Sequence, residues 1–96
     1  MALARVVTFD GVSAGHMDEM RRRMETGEPP EGMPASELLI LHDTDGERAT
    51  AIVLFDNEDD YAKGDAILGA MPTSDTPGTR TSVTKYDVAV RMRPDA

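Results

Sequence analysis

A chain of 96 residues with eighteen acidic and ten basic side chains carries a formal charge of −8 at pH 7. That sign repels nucleic-acid backbones and anionic lipid surfaces, and the absence of cysteine excludes disulfides, thiolate metal sites and thiol nucleophiles. The length fits one domain, 1–96, burying about two thirds of its unfolded surface. With no Trp and seven Met, its core must come from aliphatic side chains and adaptable thioethers. The N-terminus MALARVVTFDG lacks a basic stretch followed by an apolar one, and no run approaches the roughly 18 apolar residues of a membrane span. A cytoplasmic protein without membrane or nucleic-acid partners is expected.

The elements follow in order. Residues 2–9, ALARVVTF, are rich in β-formers and end at the Asp10-Gly11 turn signal, predicting a first strand. Ser13 is a good helix cap, Val12 can staple onto Met17, and Gly27 precedes Pro29-Pro30, so a helix is predicted over 14–26. Its Met17, Met20 and Met24 fall within about 60° of one another, with Ala14 at the edge. The Pro- and Gly-rich GEPPEGMPAS predicts an irregular loop. SELLILHDTDGERATAIVLF then reads as a hairpin turning near Asp45-Gly46, its second strand over 48–55. Asp56, Asn57, Glu58, Asp59 and Asp60 open a second helix, whose positive end suits the acidic groups, with Tyr61, Gly64, Leu68 and Met71 on one face and Ile67 at its flank. Pro72 stops it, a Pro77-Gly78 turn follows, and a last strand is predicted over 80–92. The order βαββαβ predicts an α+β, ferredoxin-like fold with a four-stranded antiparallel sheet.

The strands are apolar on both sides. Leu38 and Ile40 point one way and Leu39 and Leu41 the other, while Val53 and Phe55 oppose Ile52 and Leu54. Two short helices cannot cover both faces, so a second copy packing its sheet face across a two-fold axis is the expected cover, with a lone sheet covered by loops as the alternative.

The first strand LARVVTF, the helix SAGHMDEMRRRM, the hairpin above, the acidic helix start FDNEDDYAK and the last strand SVTKYDVAVRM together resemble the dimeric α/β-barrel superfamily, and within it the antibiotic-biosynthesis-monooxygenase-like domains. The resemblance covers nearly the whole chain and is one of pattern, without an invariant catalytic signature. It implies a homodimeric α/β barrel with a ligand cavity between helices and sheet. Members of that superfamily include cofactor-independent oxygenases of polycyclic phenols, haem-degrading enzymes and small isomerases. The haem-degrading branch relies on an Asn in the first strand, a Trp and a His in the second helix; here no Trp is present, no Asn precedes Asn57 and no His follows His42.

Several side chains are candidates for chemistry. A two- or four-residue hairpin turn puts His42 on one face with Ala49 and Ala51, whose small side chains leave room for a ligand, and the imidazole is suited to act as general base; the alternative is a strand-end histidine bonded to solvent or backbone. Tyr86 alternates with Ser82, Thr84, Val88 and Val90 and offers hydroxyls along a wall, or simply packs. Arg5 shares a face with Leu3, Val7 and Phe9, so if buried it requires an anion, either a substrate oxyanion or a carboxylate such as Asp87. His16 and Met20 on the first helix, and Gly64 and Leu68 on the second, are candidate ligand contacts; Gly64 serves either a hollow or close packing. Arg21-Arg22-Arg23 spreads around its helix and forms no single anion site.

Asp43-Thr44-Asp45-Gly46-Glu47 lacks the span of an EF-hand loop, and no metal-binding, nucleotide-binding or serine-hydrolase pattern occurs. No cofactor or metal is expected. Two functional expectations result. One is a cofactor-independent monooxygenase or isomerase acting on an aromatic or polyketide-like molecule, with His42 removing a proton and Arg5 or Tyr86 stabilising the resulting anion. The other is a non-catalytic metabolite-binding or accessory dimer.

Overall fold

The computed structural model of the chain describes residues 2–27, 32–70, 78–92 and 94. Its elements are β1 (Leu3–Asp10), α1 (Ala14–Thr26), β2 (Glu37–Asp43), β3 (Arg48–Phe55), α2 (Glu58–Gly69) and β4 (Thr79–Asp87). The strands form one antiparallel sheet in the order β2-β3-β1-β4, an α+β arrangement compatible with a ferredoxin-like fold.

Both helices start on side-chain caps. Ser13 accepts the His16 N–H and Asn57 accepts the Asp60 N–H through its side chain, satisfying donors that a first turn leaves without intrahelical partners. Three acidic residues fill the first turn of α2, where they meet the positive end of the helix dipole. The β2–β3 turn is the four-residue kind, residues 44–47, with Asp43 opposite Arg48. Its left-handed residue is Glu47, at φ 51°, not Gly46. The Glu47 carbonyl accepts the Val12 N–H at 2.7 Å, which ties the hairpin tip to the start of α1.

Strand register sorts the side chains into two faces. Leu3, Val7, Phe9, Ala49, Val53 and Phe55 lie on one, as the sequence pattern predicts, and both helices cover it. Met17 and Met20 of α1 pack with Val7, Phe9, Val12 and Ala49, while Tyr61 and Leu68 of α2 pack with Leu3, Val53 and Phe55. Phe55 is fully buried and meets Tyr61 edge-on, ring centroids 5.4 Å apart; burying such a side chain stabilises by about 1.5–3 kcal/mol. The expected methionine stripe is only partly used. Met17 is buried and Met20 half-buried, whereas Met24 is exposed at the far end of α1. Met71, expected to complete the apolar side of α2, lies outside the described residues, as do Pro29, Pro30, Pro72 and Pro77.

The last strand is shorter than its composition suggests, ending at Asp87 instead of Met92. The reason is its partner. β4 pairs only with β1, Asp87 faces Leu3, and β1 begins there, so further residues have no ladder to join. Val88 N–H makes one last bond to the Ala2 carbonyl, and Arg91 reaches Glu37 on the opposite edge strand at 2.5 Å. The segment after β4 thus traverses one end of the sheet.

Among the described residues no helix lies on the other face. Across it run four rows: Glu37, Leu54, Ala4 and Tyr86; Leu39, Ile52, Val6 and Thr84; Leu41, Thr50, Thr8 and Ser82; and Asp43, Arg48, Asp10 and Thr79. Leu39 and Leu41 are 43% and 53% exposed. This open face is apolar in the middle and polar at the hairpin end.

Candidate functional site

The three side chains with the strongest chemical candidacy are not brought together in one chain. Arg5 and His42 point to the helix-covered face, opposite Val53 and Ala49 respectively, a separation of four residues or about 13 Å along β3. Tyr86 points to the open face and is 53% exposed. The expected facing of His42 with Ala49 and Ala51 is present.

His42 is half-buried and its Nε2 lies 2.9 Å from the Val12 carbonyl. A carbonyl only accepts, so Nε2 carries the hydrogen and the basic lone pair of the neutral ring is on Nδ1. Arg5 is only 5% exposed, and its Nε donates to Asp65 Oδ1 at 2.8 Å. The carboxylate it requires therefore comes from α2, not from Asp87, which lies across from Leu3 one pair beyond Arg5 and Lys85 on the same face.

Around that pair lies a small charged layer. Lys85, opposite Arg5 on β4, bonds Glu58 at 2.7 Å and sits 4.9 Å from the centre of the Tyr61 ring. The Glu58 hydrogen bond raises the Lys85 pKa. Burial, followed by the Asp65 carboxylate, raises that of the Tyr61 phenol, because both disfavour a phenolate.

The helix-side ligand candidates mostly pack. Ala49 is buried beneath Met17, and Met20 and Ala51 are half-buried beside it. A Cβ built on Gly64 would run into the Phe55 ring, so this glycine allows α2 to press on the sheet and leaves no hollow there. Leu68 is half-buried against the same cluster, and His16 is exposed on α1.

The hairpin end of the sheet carries an open-sided depression of about 540 Å3, bordered by residues of all four strands, His42 among them. The side chains facing it from the open side are Thr8, Asp10, Leu41, Asp43, Arg48 and Thr50, with Thr81 from β4. β4 carries a bulge here: Thr8 pairs with Ser82 but Phe9 pairs with Arg80, leaving Thr81 as an extra residue. The consequence is that two consecutive hydroxyls face the same way, Thr81 Oγ1 and Ser82 Oγ each lying 2.6 Å from Thr8 Oγ1. Sequence reasoning placed Ser82 with Tyr86 but did not find Thr8, Thr50 or Thr81; the available signal was the run Thr-Arg-Thr-Ser, too polar for a regular half-buried strand.

Among the described residues no group of three His, Asp or Glu side chains is placed to hold a metal, and no helix is long and apolar enough to cross a membrane. No protein-family model matches the chain, and a search of curated proteins returns no similar sequence.

Proposed function

We propose that the protein is a small-molecule-binding homodimer in which two sheets pack open face to open face, in the manner of the dimeric α/β barrels it resembles. The observation that carries this reading is the exposed row of Leu39 and Leu41 beside Ile52 and Val6. Apolar side chains in a continuous band favour burial against a self-complementary surface. A face four strands wide and some eight residues long covers about 19 Å by 26 Å, roughly 500 Å2 in plan before side-chain relief is added, a footprint at the small end of specific interfaces. The ligand is a small apolar or aromatic molecule, and binding without catalysis is the reading the geometry supports best, because Arg5 and His42 lie about 13 Å apart on the helix-covered face while Tyr86 is on the open one.

Leu39→Glu tests the pairing: sedimentation should show a dimer for the parent chain and a monomer for the variant. An unchanged dimer would remove the open face from the interface. A catalytic version, a cofactor-independent monooxygenase or isomerase, is favoured by one observation, the half-buried His42 on the helix-covered face, whose Nε2 bond to the Val12 carbonyl places its basic lone pair on Nδ1. Oxygen consumption with a quinol and anthrone panel, lost in His42→Gln, would support it; no turnover by the parent chain would leave the binding reading.

A further inference from the structure

The depression at the hairpin end has a hydroxyl network whose proton count dictates what it can bind. Thr81 Oγ1 donates to the Thr8 carbonyl at 3.1 Å. Its proton being used, the 2.6 Å contact with Thr8 Oγ1 is donated by Thr8, and Thr8 Oγ1 in turn accepts from Ser82. Every hydroxyl proton of the triad is thereby consumed inside it, so it turns only lone pairs outward.

Charge points the same way. Asp10, Asp43 and Arg48 border the depression, and Arg48 lies 3.4 Å from Asp43, so the three side chains sum to one negative charge. The outward lone pairs of the triad, beside a net negative charge in which the one cation, Arg48, is held by Asp43, favour a cationic donor over an anion. Next to them, Leu41 begins the apolar band of Leu39, Ile52 and Val6. The volume of about 540 Å3 suits a small organic molecule. The bulge that re-aims Thr81 costs β4 a regular ladder pair and is a device often found beside binding sites.

We infer that this depression binds protonated amines carrying an aromatic body, the ammonium on the Thr8, Thr81 and Ser82 oxygens and the ring on Leu41 and the apolar band. The inference rests on the small-molecule-binding reading above and specifies the ligand class; the partner sheet would supply its roof. It places the ligand on the side of the sheet opposite the helices.

Three indoles with the same two-carbon linker test it: tryptamine, which is cationic, tryptophol, which is neutral, and indole-3-propionate, which is anionic. Titrated into the parent chain and followed by amide NMR, tryptamine should bind tightest and the anion weakest, with shifts centred on Thr8, Thr50, Thr81 and Ser82. Thr8→Val, which keeps the shape and removes the central hydroxyl, should weaken tryptamine by about 5- to 10-fold, and Thr81→Val should do likewise if the first variant misfolds. Equal affinities for the three indoles, shifts centred on Met20 and Leu68, or no binding would overturn the site. Sedimentation of the same samples reads the pairing separately: a monomer that still shows the tryptamine shifts at Thr8 and Thr81 retains the site and loses the dimer, whereas a dimer without them retains the pairing and loses the site.

Discussion

The two faces of this sheet both carry apolar side chains, more of them on the helix side, and end in different states. On the helix side, Leu3, Val53 and Phe55 are buried beneath α2 and Val7 and Phe9 beneath α1, while Leu38 and Val83 on the two edge strands stay exposed. On the other side, Leu39 and Leu41 remain half-exposed and only Ala4 and Leu54, at the end crossed by the chain after β4, are buried. What separates them is composition and shape together. Gly64 lets α2 rest on the Phe55 ring, and Arg5 offers α2 a charge that Asp65 meets; nothing comparable draws a helix to the open side.

The largest effect should follow from truncating the covered face. Phe55→Ala should cost about 3–5 kcal/mol in urea unfolding, while Leu41→Ala on the open face should change the stability of an isolated subunit by less than about 1 kcal/mol. Equal costs would erase the distinction. Gly64→Ala should cost about 1–3 kcal/mol through collision with the Phe55 ring, and in the Phe55→Ala background that penalty should largely vanish, since the new methyl enters the space the ring leaves. Additive penalties in a double-mutant cycle would show that the helix is held off the sheet by something else.

A smaller effect is expected at the buried arginine. Asp65→Asn removes its counter-charge, and because the Asp65 side chain is 49% exposed, water screens the loss to about 1 kcal/mol; salt should shrink the difference further. The smallest is a pH effect. Tyr61 and Lys85 both have folded pKa values raised above their ordinary ones, so the folded state holds these protons more tightly than the unfolded chain. Their contribution is complete below the ordinary values and is lost as pH climbs past about 10. Thermal melts should therefore fall more steeply above that pH for the parent chain than for Tyr61→Phe; parallel curves would remove Tyr61 from the effect.

Much of the fold could be read from local chemistry. Asp45-Gly46 between two apolar runs, Ser13 before α1 and the alternation through β3 gave the hairpin, the helix start and the facing of His42. The partner of Arg5 was not legible, because Asp65 is sixty residues distant and reaches it only through the packing of α2 on β1. Nor was the end of β4, since it depends on where β1 begins. The Thr8, Thr81 and Ser82 cluster depends on a bulge, and a one-residue slip in pairing leaves almost no trace in composition. The exposure of Leu39 and Leu41 agrees with the two-sided pattern in the sequence.

The most direct measurement is the solution mass of the parent chain by sedimentation equilibrium at micromolar concentration. A paired open face predicts a species of about twice 10.4 kDa, dissociating in Leu39→Glu. A single species of 10.4 kDa would contradict it, for then the apolar band would stand in water without a twin.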